Sequence, residues 1–374
     1  EVEVFAASDH RDGSFEIDGY LLHLAQSKGP LHFGDEVVKS IKARHNSYPF
    51  DVVEAPEFRA DGRAIKREIP DLPLVIKMHT PMEMIAEMNR EPVLFAAARQ
   101  TIGWVVRDLS HFLGRLPGFR EIQFFGGMSR RRLVCMERAA ARSADLVVSP
   151  TYDLMNFAAD RWRIPREQLM HVPNVFRPSS DMLALKPRIG DKSVLFIGRL
   201  ERRKGILDLA AAIPLVCRQL PDVRFILLGR EMISQAEIAE IIGEPFADNV
   251  EFVGGVAPEE VIEYIDRASV AVFPSLWENF PNVCLESMAS ARTVVGSAAG
   301  GMAEMIKDKE TGYLAPPNDP VSLSEVIIEA ICNSEQQQIL APAARKRVVD
   351  AYNAEVVGEL VEKSYSLARK FENR

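Results

Sequence analysis

The sequence predicts an α/β protein built from two doubly wound units of parallel sheet. Short apolar runs alternate with longer helical patterns along the whole chain. These runs are about four to six residues long and nearly all apolar, which is typical of strands buried on both faces of a parallel sheet. The length of 374 residues corresponds to two or three domains at roughly 150 residues each. Strand–helix alternation over this length favours two doubly wound units.

Two series of predicted strands follow one another. The first series covers residues 2–6, 51–54, 74–78 and 146–149. The second covers residues 194–197, 224–228, 250–253, 269–273 and 293–296. Helical patterns lie between them, for example at 204–219 and 282–291, and the apolar spacing of residues 354–371 predicts an amphipathic terminal helix.

The predicted domain boundary lies where prolines, serines and a glycine interrupt the periodicity. We expect a first domain at 1–175, a linker at 176–190, a second domain at 191–350 and a C-terminal helix at 351–374. Residues 1–7 resemble a strand that is already under way, and no Met precedes them. We therefore expect that a leading segment is absent from this sequence.

Composition excludes several classes of protein. Apolar residues make up 47% and charged residues 26%, which is typical of a globular chain and not of a disordered, collagen-like or disulfide-rich one. Net charge is −8, which disfavours nucleic-acid binding. The four cysteines form no CxxC motif, so we expect no zinc or redox site and a reducing, cytoplasmic location. No apolar run approaches the ~20 residues of a membrane span.

Residues 97–142 differ from this global charge. They contain nine arginines against three acidic residues, a balance of +6. The aromatic residues within the stretch are Trp104, Phe112, Phe119, Phe124 and Phe125. A solvated helix face with core aromatics is one interpretation. The other is a surface for an anionic acceptor or for a peripheral contact with the anionic inner leaflet of a membrane.

The strongest pattern of candidate functional residues follows the predicted strand 269–273. Pro281 suits the first turn of a helix, and the free amides of that turn, with the helix dipole, form an anion site. Glu278 lies just before this helix and Glu286 lies inside it. Two carboxylates beside an anion site would repel phosphate unless they accept hydrogen bonds from hydroxyl groups. The pattern therefore indicates a nucleotide that carries a sugar.

Three further features lie at predicted strand ends. Gly198 allows a tight turn after strand 194–197, and the cations Arg199 and Lys204 suit a pyrophosphate. Alone, this segment also fits an ordinary surface loop. Gly300 and Gly301 form a glycine-rich turn. His79 follows strand 74–78, where a crevice is expected.

In combination, these motifs resemble the retaining glycosyltransferases of family four, which have the GT-B fold. The resemblance rests on three motifs in this order: Gly198-Arg199 with Lys204-Gly205, Glu278-x7-Glu286, and Gly300-Gly301 with Glu304. It covers nearly the whole chain. Two departures occur: the family's first strand and Gly-rich loop do not precede Glu1, and Asn279 stands where many members have Gly. Asn tolerates left-handed geometry, so we expect it to be accommodated.

The resemblance implies two Rossmann-like domains that face each other across a cleft, the first on the acceptor side and the second holding a nucleoside diphosphate sugar. The C-terminal helix would cross back to the first domain. Arg199 and Lys204 would neutralise the diphosphate, Glu286 would accept from the ribose hydroxyls, and Glu278 and His79 would contact the sugar. Backbone groups of two segments would lie near the phosphates or the sugar: Asn279, Phe280, Pro281, Asn282 and Val283, and Gly300 and Gly301. Pro281 belongs to the first segment but has no N–H to donate.

The implied activity is metal-independent sugar transfer with retention, from a UDP- or GDP-sugar to a glycan, lipid-linked or small-molecule acceptor. The context would be polysaccharide or glycolipid synthesis, and no cofactor is expected beyond the donor itself. The sequence has no Asp-x-Asp motif. A nucleotide-sugar epimerase or hydrolase of the same fold and a non-catalytic nucleotide-sugar-binding subunit remain open alternatives. A dehydrogenase is disfavoured because no GxGxxG follows a predicted strand.

Overall fold

The computed structural model describes residues 1–8, 13–26, 33–88 and 130–371. The chain divides into two compact units. Unit 1 comprises Glu1–Val147 and Leu367–Arg374, and unit 2 comprises Val148–Ser366. Each unit is described by itself below. The predicted domain boundaries at 175, 190 and 350 stay a prediction.

Unit 1 contains two sheets. Its elements are β1 (Glu3–Ser8), β2 (Gly13–Ile17), β3 (Tyr20–Gln26), α1 (Phe33–Ser47), β4 (Val53–Pro56), α2 (Arg63–Glu68), β5 (Leu74–Lys77), α3 (Met82–Met88), α4 (Arg130–Ser143) and β6 (Leu146–Ser149). One sheet has the order β1-β3-β2, with β1 parallel to β3. The other has the order β4-β5-β6-β7, in which β7 (Leu169–His171) belongs to unit 2 and the division between the units falls within β6.

The hairpin of β2 and β3 was missed by the sequence prediction, although β1 matches the predicted strand 2–6. Its two strands pair antiparallel, and Ile17 lies opposite Tyr20. Asp18 and Gly19 between them both have positive φ, 48° and 85°. This is the geometry of a two-residue type I′ turn, for which Asp-Gly is a strong signal. The dipeptide was therefore sufficient to predict the hairpin.

Unit 2 is built on a six-stranded parallel sheet with the order β10-β9-β8-β11-β12-β13. Its elements are α5 (Tyr152–Asp160), β7 (Leu169–His171), α6 (Ser180–Ala184), β8 (Ser193–Ile197), α7 (Ile206–Gln219), β9 (Arg224–Leu228), α8 (Gln235–Ile242), β10 (Val250–Gly254), α9 (Val261–Arg267), β11 (Val270–Phe273), α10 (Asn282–Ala289), β12 (Thr293–Ser297), α11 (Met302–Met305), β13 (Tyr313–Ala315), α12 (Pro320–Cys332), α13 (Ser334–Ala351) and α14 (Ala354–Phe371). The last residues of α14, from Leu367 onward, belong to unit 1. The five predicted strands of the second series are confirmed, whereas β7 and β13 were not predicted.

Alternate residues of each central strand enter two different hydrophobic clusters. In β8, Val194 and Phe196 pack in one cluster, which also contains residues of α7, α8 and α12. Leu195 and Ile197 pack in the other, with residues of α10, α11 and α13. All five residues of β8 are buried. Helices thus cover both faces of the sheet, which explains why its strands are continuously apolar and do not alternate with polar residues.

Only residues 130–142 of the Arg-rich stretch are described, and they lie in α4. Leu133, Glu137 and Ala140 of this helix are buried, while Arg131 and Arg142 are exposed. The aromatic residues 104, 112, 119, 124 and 125 lie outside the described residues, so the surface for an anionic acceptor or membrane stays a prediction. Within the described part of the chain, no helix combines the length and the apolar character needed to cross a membrane.

Candidate active site

The strand order of unit 2 creates a topological switch point. The chain proceeds from β8 to β9 and β10 on one side, and then resumes at β11 on the other side of β8. Strands β8 and β11 are parallel neighbours, with Val270 opposite Val194. In open α/β sheets, ligands bind outside the carboxyl ends of the strands at such a point. The segments that follow these two strands carry most of the predicted site residues.

Gly205 fixes the loop after β8 against the end of β11. Residues Arg202–Lys204 form a single 3-10 turn, and Gly205 ends it in the left-handed conformation with φ of 72°. A Cβ atom at Gly205 would lie 1.9 Å from the carbonyl oxygen of Pro274. Only glycine therefore permits this approach, and Lys204 is held beside the segment that follows β11.

A chain of five alternating charges links the two loops. The Nζ atom of Lys204 lies 2.5 Å from Oε1 of Glu278. Arg203 lies 3.2 Å from the same oxygen of Glu278. Arg203 also lies 3.0 Å from a carboxylate oxygen of Glu201. Arg199 contacts Glu201 at 2.9 Å. Three cations and two carboxylates leave one net positive charge at the switch point.

The structure thus brings together three residues that the sequence singled out, Arg199, Lys204 and Glu278. Sequence reasoning missed Arg203 and Glu201. Nothing in the spacing distinguishes Arg203 from Arg202, because both lie in the same turn. Only the position of Glu278 across the switch point identifies Arg203 as its partner.

The glycine-rich turn after β12 packs directly on the segment that contains Glu278. The amide of Gly301 donates to the carbonyl oxygen of Glu278 at 2.8 Å. A Cβ atom at Gly301 would lie 1.5 Å from the carbonyl oxygen of Asn279, and one at Gly300 would lie 2.5 Å from that of Glu278. The two glycines therefore allow the turn to support the Glu278 backbone.

Asn279 does not adopt the left-handed conformation for which its tolerance was invoked. It is absent from the residues with positive φ and is nearly buried, with 8% of its surface exposed. The Oγ1 atom of Thr151 donates to its Oδ1 atom at 3.0 Å. Beside it, Nε1 of Trp277 donates to Asp153 at 2.7 Å. Side-chain hydrogen bonds thus hold the segment 277–279 on the N-terminal end of α5.

Glu304, the last residue of the family motif, also contacts the start of α5. Its two carboxylate oxygens accept from the amides of Tyr152 and Asp153, both at 2.8 Å. Unpaired amides at a helix N-terminus favour a negative charge, so this carboxylate stabilises α5. Glu304 therefore supplies acceptors for the N-terminal amides of α5.

Helix α10 begins at Asn282, and Pro281 is the residue before it. The amides of Cys284 and Leu285 already donate to the carbonyl oxygen of Pro281, at 3.2 and 3.4 Å. The anion site expected from the first turn is thereby reduced to the amides of Asn282 and Val283. Phe280 contributes packing, since its ring meets that of Tyr352 edge to face at 5.2 Å.

Glu286 lies in α10 and is half-buried. Its carboxylate is not part of the five-residue charge chain, and burial raises its pKa above the usual value. Among the described residues, no hydrogen-bond or ion-pair partner contacts it. A partly desolvated carboxylate of this kind gains most from a ligand that donates hydrogen bonds.

His79 lies in unit 1, two residues after β5. Its Nδ1 atom is 3.1 Å from Oε2 of Glu57 and 3.2 Å from the carbonyl oxygen of Lys77. The hydrogen bond to Glu57 raises the pKa of His79 above its usual value. Glu57 is fully buried, whereas 54% of the His79 side chain is exposed. At the strand end where the sequence predicted a crevice, the exposed ring of His79 therefore contacts the buried carboxylate of Glu57.

A second buried acid, Glu137 of α4, lies in the same region of unit 1. It accepts from the amide of Met82 at 2.9 Å and from that of Arg59 at 3.3 Å. Burial raises its pKa to about 7. Arg59 and Ala60 both have positive φ, 62° and 60°. Such conformations cost about 1–3 kcal/mol each and persist where surrounding contacts hold them, as Glu137 does here.

Neither Glu57 nor Glu137 was predicted as a site residue. The signal for Glu57 was present, because it follows β4, and β4 is the parallel neighbour of β5. Residues that follow neighbouring parallel strands lie at the same edge of a sheet. Glu137 had no such signal, since its helix is distant in sequence. Across the described residues, no three His, Cys, Asp or Glu side chains are grouped so as to hold a metal ion.

Known proteins resemble this chain in sequence and in fold. Residues 184–347 match the family described as glycosyl transferases group 1. Glycogen synthase from Mycobacterium tuberculosis is 29% identical over 196 residues, which cover 51% of this chain and 46% of that enzyme. The match thus spans about half the length of that relative. Spore coat protein SA from Bacillus subtilis is 23% identical over 372 residues, 96% of this chain and 88% of that protein.

Solved structures extend the likeness over nearly the whole chain. Sucrose-phosphate synthase from Thermosynechococcus elongatus superposes with a TM-score of 0.69 at 21% identity, covering 97% of this chain and 88% of that one. The Anabaena protein Alr3699/HepE, solved in complex with UDP-glucose, gives 0.61 at 18% identity, covering 93% and 86%. These likenesses show the GT-B fold, with two Rossmann-like domains. Residues 184–347, a little less than half of the chain, are thus similar to the family of glycosyl transferases group 1.

Proposed function

We propose that this protein is a retaining glycosyltransferase that moves a sugar from a nucleoside diphosphate sugar to a glycan, lipid-linked or small-molecule acceptor without a metal ion. The observation that carries the proposal is the contact of Lys204 with Glu278 at 2.5 Å. It joins a phosphate-binding cation to a hydroxyl-binding carboxylate at the topological switch point of the sheet. The Anabaena neighbour Alr3699/HepE was solved with UDP-glucose, which supports a donor of this class.

In this proposal the charge chain binds the donor diphosphate. Lys204 has three N–H donors, so it can keep Glu278 and still donate to a phosphate oxygen. Arg199 is about half exposed and adds a planar donor group. The amides of Asn282 and Val283 add the positive end of α10. The net positive charge of the chain attracts the diphosphate, while Glu278 and Glu201 keep the cations in place before it binds.

The two remaining acids recognise hydroxyl groups. Glu286 would accept from the ribose hydroxyls, because hydrogen bonds from them would compensate the partial burial of this carboxylate. Glu278, whose charge Lys204 and Arg203 neutralise, would accept from a hydroxyl of the donor sugar. His79 keeps its predicted role in this proposal, which is contact with the donor sugar.

The chemical step breaks the bond between the anomeric carbon and the diphosphate oxygen and forms a bond from the same carbon to the acceptor oxygen on the same face. The leaving phosphate oxygen gains negative charge, which Lys204, Arg199 and the helix amides stabilise. That oxygen also takes the proton of the acceptor hydroxyl, so no separate base is required. The donor sugar, the nucleobase of the donor and the acceptor are to be identified by experiment.

Ligand-dependent thermal unfolding tests the donor site. The protein is heated with UDP, GDP, ADP or NAD in excess, and a ligand at ~100 times its Kd adds about 2.7 kcal/mol to stability. We expect one nucleoside diphosphate to raise the stability of the protein selectively. This increase in stability should be lost in Lys204→Ala. The control is Lys192→Ala, which removes an exposed lysine paired with Asp222 at 2.8 Å. The proposal would be contradicted if NAD alone raised the stability, or if no nucleoside diphosphate raised it.

Product analysis then separates transfer from its alternatives. With the matching sugar donor, a transferase forms a glycosylated acceptor and releases the diphosphate. An epimerase converts the donor sugar without any acceptor, a hydrolase releases free sugar, and a binding subunit leaves the donor unchanged. Retention is read from the anomeric configuration of the product by NMR. The same reactions with and without a metal chelator test the metal-independent step.

A further inference from the structure

Arg203 is fixed through its backbone as well as through its side chain. Its carbonyl oxygen accepts from the amide of Leu276 at 2.9 Å, which ties the 3-10 turn at Arg202–Lys204 to the segment that follows β11. The Arg203 side chain is 18% exposed and lies against Glu278, whereas its neighbour Arg202 is exposed. Two adjacent arginines in one turn therefore have different surroundings, and Arg203 is the one that enters the charge chain.

The guanidinium group of Arg203 bridges two carboxylates. Its Nη1 atom donates to Oε1 of Glu278 at 3.2 Å, and its Nη2 atom donates to Oε1 of Glu201 at 3.0 Å. A planar group with donors on separate nitrogens makes both contacts at once, whereas a lysine would have to serve both carboxylates from a single nitrogen. The bridge therefore depends on the shape of arginine as well as on its charge.

Lys204 meets two demands in the proposed function. Its Nζ atom lies 2.5 Å from Oε1 of Glu278, the oxygen that Arg203 also contacts, and it is the cation proposed for the donor diphosphate. The side chain of Glu278 is 11% exposed, so this carboxylate is costly to leave without a cation. Among the described residues, Lys204 and Arg203 are the two cations in contact with it. Without Arg203, Lys204 would have to compensate Glu278 alone.

We propose that Arg203 is a positioning residue, which serves as the permanent counter-ion of Glu278 and thereby leaves the charge of Lys204 available to the donor diphosphate. Glu201 supports this role, because it accepts from the second nitrogen of the guanidinium group at 3.0 Å. The two cations beside one carboxylate thus have separate tasks, with Arg203 bound to protein acids and Lys204 shared with the ligand. This assignment rests on the proposed function, and its residues all belong to unit 2.

A double-mutant cycle tests the pairing of Arg203 with Glu278 without any ligand. The free energy of unfolding in urea is measured for the wild-type chain, Arg203→Met, Glu278→Gln and the double variant. We expect the double variant to lose less stability than the sum of the two single losses, because the loss of Arg203 costs most while the Glu278 carboxylate needs compensation. The control cycle uses Arg202→Met, whose effect should add to that of Glu278→Gln. Additive losses for Arg203 and Glu278 would overturn the proposal.

Binding of a nucleoside diphosphate tests what this pairing does for Lys204. UDP, GDP and ADP are titrated calorimetrically into the wild-type chain, Arg203→Met, and Arg203→Met combined with Glu278→Gln. These probes carry no sugar, so the proposed sugar contact of Glu278 does not enter the measurement. We expect Arg203→Met to raise the Kd about tenfold, or about 1.4 kcal/mol, because Lys204 is then held by Glu278. Adding Glu278→Gln releases Lys204 and should restore most of the affinity.

A charge-matched variant separates positioning from a simple sum of charges. Arg203→Met combined with Glu201→Gln has the same net charge as Arg203→Met combined with Glu278→Gln, but it leaves Lys204 against Glu278. We therefore expect it to recover less of the affinity for the nucleoside diphosphate. Arg202→Met, in the same turn, should change the Kd less than Arg203→Met does. Equal recovery in the two double variants, or no recovery in either, would overturn the proposal.

The two experiments also separate the role of Arg203 from the function on which it rests. If no nucleoside diphosphate binds the wild-type chain, the proposed function fails, while the unfolding cycle still decides whether Arg203 is the counter-ion of Glu278. If one of them binds and Arg203→Met binds it as tightly, only the assignment of Arg203 fails. Circular dichroism and a melting curve establish that each variant is folded before its affinity is compared.

Discussion

The two units surround their buried carboxylates in opposite ways. In unit 2, Glu278 has cations on two sides, Lys204 at 2.5 Å and Arg203 at 3.2 Å. In unit 1, Glu137 is fully buried, and among the described residues its carboxylate accepts from two backbone amides and contacts no cation. The first arrangement places positive charge directly against the carboxylate. The second raises its pKa to about 7.

The difference teaches what each arrangement can do. A charge chain with one net positive charge attracts an anion and keeps its cations ordered, so it suits diphosphate binding. Buried acids next to a histidine set the protonation and direction of a single ring, which suits a precise hydrogen bond. Glu57 stands between these cases, because it is as buried as Glu137 but has the histidine as a partner. The following predictions test this contrast.

The largest effect is expected from changes to the candidate site of unit 2. In the proposed mechanism, Lys204→Ala removes a charged donor to the leaving diphosphate, and kcat/KM should then fall on the order of 10²-fold. Glu286→Ala should likewise lose most transfer activity. Steady-state kinetics with the identified donor measure both, with Lys192→Ala as the exposed-lysine control. Full activity in either site variant would refute the assignment of that residue.

The glycine-rich turn offers a test of how rigidly unit 2 supports Glu278. Gly301→Ala places a methyl group 1.5 Å from the carbonyl oxygen of Asn279, so the turn must move. We expect a loss of about 1–3 kcal/mol in the free energy of unfolding, as for other overpacked sites. Gly358→Ala is the control, since its Cβ has no neighbour within 4 Å and α14 gains helix propensity. Denaturant unfolding measures both, and equal stabilities would contradict the close packing.

The pH dependence of stability tests the buried acid of unit 1. Because burial raises the pKa of Glu137 from 4.5 to about 7, its neutral form is favoured in the folded state. The stability that this form contributes is present below pH 4.5 and is lost as the pH rises through about 7. Urea unfolding at about pH 5 and about pH 8 should show a steeper loss for the wild-type chain than for Glu137→Gln.

The same series needs a control for ordinary surface acids. Glu54→Gln changes an exposed carboxylate in unit 1 and should reproduce the wild-type pH dependence. If Glu137→Gln also follows the wild-type curve, Glu137 ionises normally and the contrast between the two units disappears.

The smallest effect is expected at the start of α5. Glu304→Ala removes the carboxylate that accepts from two amides at 2.8 Å. Loss of a contact of this kind costs about 1 kcal/mol, as at other helix N-termini. Glu310→Ala, at a residue that is 70% exposed, should leave the unfolding free energy almost unchanged. A Glu304→Ala protein as stable as Glu310→Ala would show that the contact contributes little.

The alternation of strands and helices could be determined from the sequence alone. Strands such as β8 and β11 are apolar along their whole length because helices cover both faces of the sheet, and this pattern is local in the chain. The terminal helix at 354–371 was likewise predicted with its observed bounds. Gly205, Gly300 and Gly301 were recognisable because their backbone requirements restrict the residue type.

Only the tertiary structure decided which side chains meet. The order β9-β8-β11 places Arg203 against Glu278, 75 residues away, whereas its neighbour Arg202 makes no such contact. The register of β4 and β5 places Glu57 under His79, and α4 brings Glu137 to the same region. Local patterns specify strands and turns because these depend on nearby residues. Partners and pKa values depend on strand order and burial, which arise only when distant segments pack together.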